Sequence, residues 1–229
     1  MNIQTITTED LLGPLNGIEK KHAPMELYIR GDRSLPSRCM SVSIVGSRKA
    51  SEDGLKRARS LAKAIVSRGG IIVSGLAEGI DTAAHTSAID VGGKTIAVIG
   101  TPLDQAYPKQ NADLQERIAN EHLLISQFPI GSKTRPRDFA IRNRLMALIS
   151  DATVIIEAGE ESGTIHQGWE AIRLNKPLFI LESTANNQDL SWPQEFIKYG
   201  AEVLTREHLD EFFERLPVSG WRHGIQLAI

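Results

Sequence analysis

The chain has 229 residues, of which 41% are hydrophobic and 24% are charged, a composition typical of a folded globular protein. Its net charge of −2 excludes an overall basic field, so nucleic-acid binding would require a local cluster of basic side chains. The single cysteine excludes an internal disulfide framework, and no apolar run approaches the roughly 18 residues of a membrane span. We therefore expect a cytoplasmic protein with no membrane partner.

Short, β-branched apolar segments alternate with helical segments along most of the chain. The predicted strands are 26–30, 42–45, 71–73, 95–99, 123–125, 153–156, 178–181 and 202–204. The predicted helices are 54–67, 81–91, 111–120, 139–149, 164–174, 193–198 and 206–215. The strands are apolar on both faces, which predicts an α/β fold with a doubly wound, mainly parallel sheet and helices on both faces. Residues 1–40 are interpreted as an N-terminal lead-in packing on the core, 41–216 as the core, and 217–229 as a C-terminal tail.

The first candidate binding site follows the strand at 42–45, where the chain continues Gly46-Ser47-Arg48-Lys49. Ligands of parallel sheets bind at the carboxyl ends of strands. Gly46 permits close backbone approach, Ser47 can donate to an oxygen, and Arg48 can bind a phosphate through two donors. In the alternative interpretation, Gly46 only makes the turn and Arg48 caps a neighbouring element.

The second strand end contains Gly75 and Gly79, without the three-glycine spacing of a dinucleotide-binding loop. Gly75 is included among the DNA- and phosphate-binding candidates. Asp81 and His85 lie four residues apart on the next helix, a spacing more typical of an ordinary helix surface than of a metal site, so no metal is assigned. No histidine or serine pattern indicates catalysis. Glutamates at 157, 160, 161 and 170 could act as general acid or base, or could simply be solvated.

The third site lies in the segment 135–164, where a basic helical run leads into a strand and then into another helix. Its basic residues, with the lysine just before it, are Lys133, Arg135, Arg137, Arg142 and Arg144. Ser162-Gly163-Thr164 begins the second helix, with Thr164 as a candidate N-cap. Because helix N-termini present free backbone N–H groups, we expect an anion to bind here.

An ordered series of segments in this chain resembles the DNA-processing protein A (DprA/Smf) family. The segments are LYIRGD at 27–32, IVGSR at 44–48, VSGLAEGIDTAAH at 73–85, TIAVIGTPLDQAYPKQN at 95–111, FP at 128–129, RNRLMALIS at 142–150, EAGEESGT at 157–164 and NKPLFI at 175–180. The resemblance implies an extended Rossmann-like fold and a protein that binds single-stranded DNA, usually as a homodimer, and helps to load a recombinase. The chain is expected to be the Rossmann-like core alone.

The resemblance also implies roles for individual residues. The turn from Gly46 to Arg48 would grip phosphates, with Arg142, Asn143, Arg144 and the 162–164 loop in the same pocket. Two positions depart from the family pattern, since Pro102 replaces a glycine and Ala140 replaces a proline. Both are expected on the pocket wall.

The leading hypothesis is a non-catalytic single-stranded DNA binder that needs no cofactor. Arg48, Lys49, Arg142 and Arg144 would neutralise phosphates, and Phe139 would stack on a base. The alternative is a nucleotide-binding protein or a phosphoribohydrolase similar to the lysine-decarboxylase-like family. That family carries a PGGxGTxxE loop, whereas this chain has EAGEESGTIHQGWE, with Glu170 displaced. A pure interaction scaffold is the third interpretation.

Overall fold

The structure is a computed structural model that describes residues 2–216, so the tail proposed at 217–229 lies outside the described residues. The strands are β1 Gln4–Thr7, β2 Glu26–Gly31, β3 Ser41–Val45, β4 Ile71–Ser74, β5 Thr95–Ile99, β6 Leu123–Ser126, β7 Ala152–Ile155, β8 Leu178–Leu181 and β9 Glu202–Leu204. They form a nine-stranded sheet in the order β1-β2-β6-β5-β4-β3-β7-β8-β9. The strands from β3 to β9 pair in parallel, whereas β1 and β2 pair antiparallel.

The helices are α1 Thr8–Leu12, α2 Gly17–His22, α3 Leu35–Arg38, α4 Glu52–Ser67, α5 Ile80–Asp90, α6 Ala112–Glu121, α7 Pro136–Ile149, α8 Gly163–Arg173, α9 Glu182–Ala185, α10 Trp192–Lys198 and α11 Leu209–Glu214. None of the described helices is both long and apolar enough to cross a membrane. Every strand and helix predicted from the sequence is present within a few residues of its expected bounds.

Helices cover both faces of the sheet. Successive residues of each strand point to opposite sides, so a strand that is apolar throughout has two apolar faces to bury. In the central strand β3, Val42 and Ile44 pack in one apolar cluster with α4 and α5. Val45 packs in another cluster, with the buried face of α7 from Leu145 to Ile149. Each such burial stabilises the fold by about 1.5–3 kcal/mol relative to an exposed side chain. The predicted doubly wound, mainly parallel α/β fold is confirmed.

The N-terminal segment contains elements that the sequence pattern did not predict, namely β1, α1, α2 and α3; the short α9 was also not predicted. They are too short to show a repeating apolar pattern, and only α1 and α2 have a local capping box. In α1, the Thr7 backbone N–H donates to the Asp10 carboxylate at 2.9 Å, and the Asp10 N–H donates to Thr7 Oγ1 at 3.0 Å. Because β1 and β2 extend the same sheet, the division of the chain at residue 40 stays a prediction.

An ion pair between a buried arginine and a half-exposed glutamate attaches β2 to α6. The Arg30 side chain is buried and donates to the two Glu116 carboxylate oxygens at 2.8 and 2.7 Å. These charge-assisted bonds lower the pKa of Glu116 to about 2. The pair therefore stabilises the antiparallel edge of the sheet.

The order in which the chain adds strands to the sheet reverses at β3. Strands β4, β5 and β6 follow on one side of β3, and β7, β8 and β9 follow on the other. In open parallel α/β sheets, the loops that leave the strands on either side of such a reversal diverge and leave a crevice where ligands bind. The loops after β3, β4 and β7 meet at this crevice. They are the three strand ends that carry the sequence-predicted site.

Candidate functional site

The three loops at the reversal point are held together by backbone hydrogen bonds. The Ser47 N–H donates to the Glu157 carbonyl at 2.6 Å, and the Ile80 N–H donates to the Ser47 carbonyl at 3.2 Å. A Cβ on Gly46 would lie 2.8 Å from the Glu157 carbonyl oxygen. Gly79 has φ +72, and a Cβ there would lie 2.7 Å from the Arg48 carbonyl oxygen. Both glycines are therefore required for the close approach of the loops.

A groove of about 1040 Å³ lies over these loops, between the first turns of α7 and α8. Most of the residues predicted from the sequence line it: Gly46, Ser47, Arg48, Lys49, Phe139, Arg142, Asn143, Ser162, Gly163 and Thr164. The structure thus brings together the predicted residues of the first and third strand ends. Ala140 also lines the groove as expected, whereas Pro102 does not, because it is buried in the loop after β5.

Three exposed cationic side chains, Arg48, Lys49 and Arg135, supply positive charge to the groove. At its other end, α8 begins with its N-terminus facing the groove. The N-cap of α8 is Ser162, whose Oγ accepts from the Thr164 N–H at 3.2 Å, so the expectation that Thr164 is the cap was wrong. Thr164 lies inside the helix because the turn before it already has the extended backbone of a cap. Cations and a helix N-terminus together form an anion-binding surface.

Arg142 is buried, which the amino-acid sequence did not reveal. Its side chain is 5% exposed and donates from Nη1 to the carbonyl oxygens of Gly75 and Val98, the latter at 2.7 Å. Its Nε donates to Asn143 Oδ1 at 3.1 Å, which leaves Nη2 without a hydrogen-bond partner among residues 2–216. Arg142 therefore links α7 to the ends of β4 and β5, and a direct phosphate contact by its remaining donor stays a prediction.

The buried carboxylate of Asp81 accompanies this guanidinium. Asp81 accepts from the N–H groups of Gly75 and Ala77 at 3.1 and 3.3 Å. Burial raises the pKa of Asp81, and the nearby Arg142 charge opposes that shift. Burial likewise lowers the pKa of Arg142, and Asp81 opposes it. The two charges compensate each other in a site from which water is largely excluded.

Arg144 lies outside the groove lining, unlike the other predicted residues of α7. Two residues along a helix correspond to a rotation of about 200°, so Arg142 and Arg144 point to opposite sides. Arg144 Nε donates to the Glu170 carboxylate at 2.8 Å, and Arg173 binds the same carboxylate. Its predicted role in DNA binding remains a prediction that this position does not support.

Asn143 fixes the first turn of α8. Its Nδ2 donates to the Gly163 carbonyl at 3.3 Å, and its own carbonyl lies 2.7 Å from the side-chain amide of buried Gln167. These contacts hold α7 against the N-terminus of α8. Asn143 thus positions the helix end that faces the groove.

Three of the four glutamates near the third strand end have structural partners. Glu157 accepts from the Ser51 N–H at 2.8 Å and from the Ser51 hydroxyl, so it supports the N-cap of α4. Glu160 binds Ser191, and Glu170 is held by its two arginines away from the groove. Glu161 alone of these four lines the groove. In the described part of the chain, no group of three or more His, Cys, Asp or Glu side chains is arranged to hold a metal ion.

Tyr107 is a groove residue that the sequence analysis did not single out. It is 50% exposed, and its ring lies 5.1 Å from the Phe139 ring, at an interplanar angle of 47°. The Arg48 guanidinium lies 5.8 Å from the Phe139 ring centre. The signal available in the sequence was an aromatic residue in a polar loop after a strand. Its contact with Phe139, however, joins that loop to a helix far away in sequence.

Gly75 lines a smaller pocket that opens beside the groove. This side pocket has a volume of about 190 Å³ and shares Arg48, Tyr107, Phe139 and Arg142 with the groove. A Cβ on Gly75 would lie 2.7 Å from Arg142 Nη2 and closer still to Cζ and Nη1. The absence of a side chain at position 75 therefore makes room for the buried guanidinium.

A cationic groove at the point where the strand order of a doubly wound sheet reverses lies where Rossmann-like proteins hold their ligands. Residues 4–217 match the family model described as DNA recombination-mediator protein A. The chain belongs to this family. It is 38% identical to the protein Smf of Synechocystis sp. over 210 residues, which cover 90% of this chain and 53% of that protein. It spans 64% of the length of the DNA processing protein DprA of Streptococcus pneumoniae.

Two solved structures have the same fold. DprA from Streptococcus pneumoniae superimposes with a TM-score of 0.80 at 30% identity, covering 94% of this chain and 75% of that one. DNA processing protein A from Helicobacter pylori superimposes with a TM-score of 0.79 at 26% identity, covering 94% of this chain and 98% of that one. The Helicobacter protein is described as having a unique single-stranded DNA binding mode.

Proposed function

We propose that the groove binds single-stranded DNA without modifying it. The observation that carries this proposal is that exposed cations, the half-exposed ring of Tyr107 and the partly buried ring of Phe139 line one continuous groove. Arg48, Lys49 and Arg135 are placed to neutralise backbone phosphates, and the N-terminus of α8 offers N–H groups to another. The rings of Tyr107 and Phe139 offer faces on which bases stack.

The aromatic pair favours single strands over duplexes. In a duplex the bases are stacked on each other and paired, so their faces are not available to a side chain. A single strand can place its phosphates along the cationic wall and turn its bases towards the rings. We expect binding of single-stranded DNA to exceed binding of a duplex of the same length.

The family relationship supports the same substrate and suggests further partners. The Helicobacter relative has a single-stranded DNA binding mode. By family resemblance, we also propose that this protein acts as a homodimer and assists the loading of a recombinase on single strands. Since the chain spans about half to two thirds of the length of its relatives, these partners are proposals about the core.

Fluorescence anisotropy with a labelled oligo-dT tests the proposal. Affinity should fall as salt rises, with a slope of about −0.7 per phosphate neutralised. Arg48→Ala should weaken binding and reduce the magnitude of that slope by about 0.7. Arg59→Ala is the matched control, because Arg59 is exposed on α4 outside the groove lining. Absence of salt-sensitive binding by the unmodified protein would refute the proposal.

A further inference from the structure

The side pocket beside the groove has an inner end and a mouth of different chemistry. Gly75 and the 5%-exposed Arg142 are buried and form its inner end. Glu78 and half-exposed Tyr107 lie at its mouth. The volume of about 190 Å³ is suited to one planar ring system rather than to a stretch of backbone.

The walls of the side pocket are flat and apolar. Tyr107 and Phe139 lie 5.1 Å apart at 47°, so the two rings do not close against each other in parallel. Pro108 adds a further apolar surface. A planar aromatic ligand can therefore lie against either ring by stacking or edge-to-face contact.

The polar groups of the side pocket are separated into donors and an acceptor. Arg142 lines the pocket and its Nη2 has no hydrogen-bond partner among the described residues, and Arg48 brings a second guanidinium to the same pocket. Glu78 presents a carboxylate that has no hydrogen bond or ion pair within residues 2–216. A phosphodiester offers only acceptors and leaves the Glu78 carboxylate unpaired, so the pocket favours a neutral group that both accepts and donates.

Among the nucleobases, guanine matches this arrangement most fully. Its O6 and N7 are adjacent acceptors for guanidinium donors, and its N1–H and N2 amino group are adjacent donors for a carboxylate. Thymine has a single N–H donor and cannot pair with both oxygens of a carboxylate. Resting on the proposed function, we propose that the side pocket binds one base of the DNA strand and prefers guanine, with Glu78 reading its N1 and N2 edge.

The test compares oligo-dT of about 20 nucleotides with the same strand carrying one central dG, by fluorescence anisotropy. A single dG avoids the folded structures of guanine-rich strands. The unmodified protein should bind the dG strand about fivefold or more tightly, the discrimination expected of one bidentate pair. Replacing dG by deoxyinosine, which lacks the N2 amino group, should remove part of that preference.

Glu78→Ala should bring the dG-to-dT affinity ratio close to one without weakening binding of oligo-dT. Glu161→Ala is the matched control, because it removes an exposed carboxylate from the groove but not from the side pocket, and it should keep the full ratio. Equal affinity of the unmodified protein for both strands, or a preference that survives Glu78→Ala, would overturn the inference alone. Absence of binding to any single strand would overturn the proposed function as well.

Discussion

Gly75→Ala tests the arrangement in which a buried arginine joins α7 to the ends of two strands. The added Cβ would lie 2.7 Å from Arg142 Nη2 and closer to Cζ and Nη1. The guanidinium cannot move aside in place, because it is held by the carbonyl groups of Gly75 and Val98. We expect the Arg142 side chain to leave its site.

The loss of stability in Gly75→Ala follows from the hydrogen bonds that Arg142 gives up. Each hydrogen bond from a charged donor contributes about 1.5–3 kcal/mol, and two of them hold Nη1. Departure of Arg142 also leaves the Asp81 carboxylate buried without its compensating charge. We expect the free energy of unfolding to fall by about 3–5 kcal/mol.

Urea denaturation followed by circular dichroism measures this change. Gly163→Ala is the control: it also lies in the groove lining, but a Cβ there meets no atom within 4 Å. It should leave stability unchanged to within about 0.5 kcal/mol. If Gly75→Ala proved as stable as Gly163→Ala, the proposed role of Arg142 as a buried link would be wrong.

Three further changes test other parts of the fold. Glu116→Gln removes the partner of Arg30 and should cost about 1 kcal/mol at pH 7, discounted because Glu116 is half exposed. Since the folded pKa of about 2 lies below the ordinary 4.5, this difference should disappear as pH falls from about 4.5 towards 2. Burial lowers the pKa of His85 from 6.5 to about 3, so between pH 7 and pH 5 only the unfolded chain takes up a proton on this side chain. The free energy of unfolding should therefore fall by about 2 kcal/mol over that range, and this fall should be absent in His85→Leu. Ser51→Ala removes the cap of α4 and a partner of Glu157, and should cost about 1–2 kcal/mol.

Each of these changes is measured by thermal or urea denaturation of the variant beside the unmodified protein. A Glu116→Gln difference that stays constant from pH 7 to pH 2 would contradict the ion pair. A His85→Leu variant that loses as much stability as the unmodified protein below pH 6 would contradict the burial of a neutral imidazole. An unchanged stability of Ser51→Ala would show that α4 does not depend on its cap.

Much of the site could be predicted because its residues belong to short segments that follow apolar strands. Apolar strands followed by Gly46-Ser47-Arg48 or by Ser162-Gly163-Thr164 place small and cationic residues at strand ends, and parallel strands end on the same edge. The groove lining confirms that these strand ends meet. Phosphate binding was predicted from the sequence for both Arg142 and Arg144. Helical geometry places the two side chains on opposite sides of α7, and only Arg142 lines the groove.

The sequence by itself determined the parallel α/β core, because two-sided apolar strands are stable only when helices cover both faces. Tertiary structure alone decided that Arg142 is buried against the carbonyls of Gly75 and Val98, since these partners lie at the ends of two strands far from α7 in sequence. It also placed Tyr107 against Phe139 and added β1 and β2 to the sheet edge. These features depend on contacts between segments that are distant in sequence, and a local sequence pattern does not show which distant segments will meet.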